Sequence, residues 1–238
     1  MKQQITTLTL FRFEGFGNKW WAFTSMGLSP MKMKNTKGLS FYKLLGSGGG
    51  NGFSIRPNFS TYAILCEWAD EAAAETFFRE GHVFQDYKNR SCEQWTIYMA
   101  PMMSHGTWDG QTPFVVSTPF DAQIPVCVIT RATIKLKFLP YFWKFVPPVS
   151  ASIIEKTGRL FSVGIGEVPI VQQATFSVWQ SSNLMMDYAY KSPFHAEVVQ
   201  KTRELGWYKE ELFARFKPLR SIGTWNGKNE LAELLAKS

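Results

Sequence analysis

Chemistry at a protein site needs a nucleophile, a metal ligand or a paired acid and base, and this 238-residue sequence offers few of each. Its histidines stand at His82, His105 and His195, and its cysteines at Cys66, Cys92 and Cys127. No GxSxG, HExxH or acidic calcium loop occurs, and the cysteines lack metal-ligand or CxxC spacing. His195 has the most informative surroundings, Lys191-Ser192-Pro193-Phe194-His195-Ala196-Glu197. Ser192 suits an N-cap and Pro193 the first helical position, which places His195 in the first turn of a helix. The positive helix end keeps its imidazole neutral, with the lone pair that a haem iron takes. Val198, Val199 and Thr202 follow at helical spacing, so one face would pack on a flat macrocycle. An ordinary surface or capping histidine is the competing reading. His82, in Glu80-Gly81-His82-Val83, is the alternative ligand, and His105 reads as a turn residue.

Arg12 and Arg131 fall at matching points of two similar strands. A strand arginine aimed into a cavity needs a carboxylate, a propionate or an iron-bound oxygen, whereas one aimed outward needs only water. Glu167, in Gly164-Ile165-Gly166-Glu167-Val168-Pro169, is the candidate partner of Arg131, or a loop carboxylate. The Gly46–Gly52 segment lacks the Lys-Ser/Thr of a P-loop and does not match GxGxxG, so it reads as an insertion between strands.

The elements that must hold these residues come in two sets. Ser104-His105-Gly106-Thr107-Trp108-Asp109-Gly110 recurs as Ser221-Ile222-Gly223-Thr224-Trp225-Asn226-Gly227, 117 positions later. Ala63–Trp68 resembles Ala174–Trp179, Gly38–Gly46 resembles Gly158–Gly166, and Leu10-Phe11-Arg12 resembles Ile129-Thr130-Arg131. Ordered matches of this kind mark a duplication. Alternation places strands at Ile5–Phe13, Gly38–Leu45, Ser60–Trp68 and Thr96–Met103, with helices at Asn18–Met26 and from Asp70 to about Ser91, broken at Gly81. The second set runs through a strand at Val126–Ile134, a helix at Phe138–Lys156, strands at Phe161–Gly166 and Gln173–Trp179, helices from Asn183 to about Arg215, and a strand at Phe216–Ser221. Each set has the β-α-β-β-α-β order of a ferredoxin-like unit. The expected fold is therefore α+β, a tandem duplication of ferredoxin-like units packed as a sandwich or barrel-like core around a cavity. Residues 1–110 form the first unit, 111–125 a proline-containing linker, and 126–238 the second unit with a short C-terminal helix.

Apolar residues make up 45% of the chain and charged residues 19%, which excludes a wholly disordered protein. Aromatic residues reach 16%, and their surfaces need a core, a ligand cavity or a membrane face. The net charge of +7 suits anionic partners. There is no run of 18 apolar residues, no signal-peptide core at the N-terminus, and the sparse, odd cysteines read as reduced thiols, so the expected location is cytoplasmic. Phe138–Pro148 and Trp20–Phe23 are apolar enough to form a greasy entrance or touch a membrane, or simply to pack on the sheets.

The sequence resembles the spheroidene monooxygenase family, the acyclic-carotenoid 2-ketolases of purple phototrophic bacteria. The resemblance spans nearly the whole chain. It is carried by Leu10–Phe13, Trp21–Phe23 with Met26-Gly27, Arg56–Asn58, Thr130–Thr133, Gly164–Pro169, Thr175–Ser177, and Gly206-Trp207 with Glu210–Phe216. It implies a haem-dependent monooxygenase, with haem b as cofactor, O2 as oxidant and reduced ferredoxin or a similar electron donor. The substrate it implies is apolar and carotenoid-like, with a methylene carried to a ketone. His195 would be the axial ligand, with Val198 and Val199 against the haem, and Arg131 and Glu167 the catalytic candidates. Peripheral membrane contact and an oligomer are compatible with it. Alternatives are a non-catalytic haem- or apolar-ligand-binding protein, a cofactor-free oxygenase, and a ferredoxin-like RNA-binding module. The last is disfavoured because the RRM aromatic motif is absent and the basic residues are spread, so no nucleic-acid partner is expected.

Overall fold

The computed structural model describes residues 3–49, 54–144, 157–168, 170–191, 202 and 204–237. The first half contributes strands β1 (Ile5–Arg12), β2 (Leu39–Gly48), β3 (Pro57–Trp68) and β4 (Glu93–Gly106). The second contributes β5 (Val126–Ile134), β6 (Arg159–Gly166), β7 (Gln172–Trp179) and β8 (Tyr208–Gly223). The strands close into one antiparallel barrel in the order β1-β3-β2-β6-β7-β5-β8-β4. The run β4-β1-β3-β2 recurs as β8-β5-β7-β6. The two seams between halves are unequal. β4 and β8 pair from Trp95↔Gly223 to Gly106↔Leu212, whereas β2 and β6 pair only at Gly46↔Gly166 and Ser47↔Ile165.

Alternate residues of every strand point inward. Leu8, Leu10, Leu65, Ile97, Ile129 and Phe176 meet there, all fully buried. The expected cavity between two sheets is thus replaced by packed side chains. The reason is geometric: an eight-stranded barrel is just wide enough to be filled by its own residues.

Helices cover the outside. In the first half, α1 (Phe16–Met33), α2 (Glu71–Glu80) and α3 (His82–Arg90) enclose an aromatic layer that includes Phe11, Phe13, Tyr62, Phe84 and Tyr87. Asp70 caps α2 by accepting the Ala73 N–H at 2.9 Å. In the second half, α4 (Ser182–Lys191) lays Tyr188 on Trp179 with ring centroids 5.3 Å apart. Helical residues at 139–144 put Phe142 beside Ile134 and Trp207. The last helix, α5 (Glu230–Leu235), is capped by Asn229 and inserts Leu231 into the barrel core. No helix of the described residues is long and apolar enough to cross a membrane.

Several sequence expectations shift. Tyr208–Arg215 is strand, not helix: Glu210, Leu212 and Ala214 face inward while Glu211, Phe213 and Arg215 face outward. Its Lys, Glu, Leu and Ala favour helix locally, but pairing with both β4 and β5 overrides that propensity. α1 runs seven residues past Met26, carrying Pro30 in its last turn. β4 continues through His105, so that residue lies in an exposed strand position before the turn.

Glu67 is an exception inside the core. It is fully buried, its carboxylate accepts from the Thr6 hydroxyl, and its Oε1 has no partner. Burial pushes its pKa up from 4.5 to about 8, against the downward pull of the Thr6 hydrogen bond. The folded protein therefore holds one more proton than the unfolded chain between those values. Stability from this group is intact below the unfolded pKa and falls as pH rises toward 8, by up to about 1.4 kcal/mol per pH unit. Glu67→Gln should abolish that slope. In thermal melts, the variant's advantage over the parent should widen from pH 5 to pH 8; a constant gap would contradict the buried neutral carboxyl.

Candidate functional site

Each end of the barrel is closed by a tight turn supplied by one half and held by the other. The turns are Trp108–Gln111 and Trp225–Lys228, closed by paired backbone bridges. Asp109 and Gly110, like Asn226 and Gly227, have positive φ at both central positions, the geometry of a type I′ turn. Gly106 and Gly223 precede them at φ +88° and +86°, where a Cβ would lie 2.1 Å from the Glu211 carbonyl oxygen and 2.2 Å from that of Gln94. The repeated Gly-Thr-Trp-Asp/Asn-Gly motif is therefore a barrel plug. Because β1 and β5 run in opposite senses around the antiparallel ladder, the plugs occupy opposite ends.

A carboxylate grips each plug. Glu93 accepts from the Thr224 hydroxyl at 3.0 Å and the Gly227 N–H at 2.8 Å, and pairs with Arg12 at 3.3 Å. Glu210 accepts from the Thr107 hydroxyl at 2.8 Å and the Gly110 N–H at 2.7 Å, and pairs with Arg131. Burial alone would raise the Glu210 pKa, yet the Gly110 and Asp109 N–H groups, the Thr107 hydroxyl and Arg131 hold it down to about 2. Glu93 is lowered in the same way, against burial, by the Gly227 and Asn226 N–H groups, the Thr224 hydroxyl and Arg12.

The Arg131 end is the more elaborate. Arg131 is 1% exposed and reaches Asp109 at 3.2 Å and Glu167 at 3.6 Å as well as Glu210. Lys43 pairs with Asp109 and, at 2.7 Å, with Glu167, which also accepts the Trp108 indole N–H at 2.7 Å. The structure thus brings Arg131 and Glu167 together. It adds Glu210, Asp109 and Lys43, which sequence reasoning missed because 208–215 looks helical and Lys43 lies on an unremarkable strand. Arg12 is less enclosed, resting on Trp225 at 4.5 Å.

Beside this network, at the short β2–β6 seam, lies a cavity of about 140 Å³. Phe23, Phe59, Tyr62, Ile165 and Ile170 are among its apolar lining residues, and Gln173 and Glu167 among its polar ones. Gln173 sits on the outer face of β7, two residues from Thr175.

That outer face is where the halves differ most. Strand register matches Phe11 with Thr130, Phe13 with Ala132, Tyr62 with Thr175, Ile64 with Ser177, and Leu44 with Ser162. In these five pairs the larger side chain belongs to the first half, whereas the same register matches Cys66 with Trp179 and Gln94 with Phe213. Gly164, Thr175 and Thr130 stand side by side across β6, β7 and β5 and form a small-residue floor. Position-by-position comparison of the repeats could have revealed it. His195, Val198 and Val199 lie outside the described residues. His82 opens α3 on the first half, beside Lys32, Lys37 and Glu80, away from the Arg131 network. Among the described residues no group of three His, Cys, Asp or Glu is placed to hold a metal ion.

No family model matches the chain. It is 36% identical to a spheroidene monooxygenase of Cereibacter sphaeroides, over 98% of this chain and 72% of that protein. It is also 36% identical to one of Rhodobacter capsulatus, over 96% and 95%. A third, from Rubrivivax gelatinosus, is 34% identical over 80% and 73%. Among solved structures, an aldoxime dehydratase superposes with a TM-score of 0.62 over 91% of this chain and 82% of that one, at 11% identity, a likeness of fold.

The two plugs should differ in strength. Arg131→Met leaves Glu210 without its cation and Asp109 and Glu167 with Lys43 alone, and should cost about 3 kcal/mol or more. Arg12→Met, at a wetter site, should cost about 1 kcal/mol. Combining Arg131→Met with Glu210→Gln should cost less than the sum in chemical denaturation. Because Glu210 is depressed, its contribution is present above the ordinary carboxylate range and fades as pH falls toward 2. Equal, small losses at both ends would contradict this reading.

Proposed function

The chain belongs to the spheroidene monooxygenase family, a family of oxygenases, and we propose that it oxidises a methylene of an acyclic, carotenoid-like chain to a ketone with haem b, O2 and a reduced ferredoxin-like donor. The large-to-small replacement on the outer face of the second half carries this reading. We further read the halves as tandem ferredoxin-like units, 1–110 and 126–238 joined by 111–125, on the recurrence of strand order and plug motif.

His195, with Val198 and Val199 following on one helical face, would hold the haem from the segment between Lys191 and Thr202. When bound, haem supplies the site that binds and activates O2. Each hydroxylation consumes one O2, two electrons and two protons and returns one water. Two on the same carbon make a geminal diol, which loses water to leave the ketone.

The chain's own residues bind, orient and keep dry. Phe23, Phe59 and Tyr62 line the seam cavity with aromatic side chains, suited to a conjugated chain. The cavity is smaller than the 300–1,000 Å³ or so of whole-ligand pockets, so it takes one end of a long substrate rather than its length. Glu167 and Arg131 are positioning residues in this scheme. Their ion pairs tie the Trp108 turn to the β6 end, whose Ile165, Gly166 and Glu167 line the cavity.

Haemin titration tests the reading. The protein should develop a Soret band, His195→Ala should lose it, and Thr130→Phe with Thr175→Tyr should block uptake while retaining the circular dichroism of the parent. Ketone formation should require both O2 and reductant. Equal uptake by the filled variant, or full turnover without haem, would overturn the proposal.

A further inference from the structure

Helix α1 is amphipathic the wrong way round for a helix on a soluble core. Its buried positions are Ala22, Ser25, Ser29 and Met33. Its outward positions carry Phe16, Trp20, Phe23, Leu28 and Met31, with Phe16 83%, Trp20 58% and Met31 75% exposed. A core-packed helix puts its apolar stripe inward. Here small residues let the helix lie close on the sheet, while the bulky ones face out. The exposed rings form a chain. Phe16 stacks on Trp20 at 6.4 Å, Trp20 meets Phe23 at 5.9 Å, and Phe23 meets Phe59 of β3 at 5.5 Å. The apolar face therefore runs from α1 to the edge of the seam cavity, which Phe23 and Phe59 both line.

Charge selects the occupant. Between Glu14 and Glu67 the sequence holds six Lys or Arg and no acid. Lys19 and Lys32 lie on α1, and Lys34 and Lys37 follow its end. Aromatic side chains on one face and basic residues beside them are the features of an interfacial helix on an anionic bilayer. A second copy of the chain would fit less well, since an isologous dimer would bring this basic face against itself. We infer that the outward face of α1 and the adjoining Phe59 form a docking surface for a membrane rich in anionic headgroups. The seam cavity opens beside that surface, so an apolar chain dissolved in the bilayer enters it without crossing water. This deepens the proposed substrate class and rests on it for the entry route, whereas the docking surface rests on α1 alone.

Co-sedimentation of the full chain with vesicles tests the inference, with or without haem. The protein should pellet with phosphatidylglycerol-containing vesicles and remain in solution with phosphatidylcholine alone. Phe16→Ser with Trp20→Ser and Met31→Ser should abolish pelleting while leaving the melting temperature and turnover of detergent-solubilised substrate unchanged. Lys32→Glu with Lys34→Glu and Lys37→Glu should weaken binding about tenfold or more. Quenching of tryptophan fluorescence by brominated lipid should fall in Trp20→Phe. Equal binding to neutral and anionic vesicles, or none to either, would overturn the inference. So would a triple-serine variant that still binds vesicles but changes from oligomer to monomer, since the face would then join copies of the chain. Loss of turnover with vesicle binding intact would count against the oxygenase reading and leave the docking surface standing.

Discussion

The interior of this eight-stranded antiparallel barrel is filled by its own side chains, and that constraint governs the rest of the molecule. Leu, Ile and Phe residues from both halves fill the interior. Any ligand of appreciable size must therefore lie outside the barrel wall, between strands and covering elements or at a seam. The two halves then divide the labour. One outer face is plugged by rings, Phe11, Phe13 and Tyr62 against Tyr87 and Trp21, and gives stability. The other presents the smaller Thr130, Gly164 and Thr175 on three adjacent strands.

Closing the barrel ends exposes turn N–H groups and strands charges, and the molecule solves both problems with one device. A glutamate on the closing strand of each half accepts the turn donors of the other half and neutralises an arginine from its own half's first strand. The exchange ties the halves together where the backbone ladder ends. At the Arg131 end the same device reaches the cavity through Glu167, which places a carboxylate in its lining.

Much of this was legible from sequence where one physical signal dominated. Period-two runs such as Ile5–Arg12 and Val126–Ile134 marked their strands, and the two Gly-Thr-Trp motifs marked the matching turns. The pairing of Arg131 with Glu167 was legible as a candidate because a buried guanidinium needs a carboxylate. Tyr208–Arg215 was not, since Lys-Glu-Glu-Leu-Phe-Ala-Arg satisfies helical and strand patterns alike and only its two neighbouring strands decide. Glu210 was lost with it. The small-residue floor escaped because a small residue carries no signal by itself; Thr175 gains meaning only opposite Tyr62 in the matching register. The direction of α1 escaped for a similar reason. Trp20 and Trp21 are neighbours in sequence, yet one faces out and the other packs on Phe13 and Tyr87.

The central claim is that the oxygen-activating group rests on the outer face of the second half. A crystal structure of the haemin-loaded protein tests it most directly. The account predicts the macrocycle lying over Thr130, Gly164 and Thr175, with the barrel interior still packed and His195 turned to the iron. A macrocycle seated on the first half, or within an opened barrel, would contradict it.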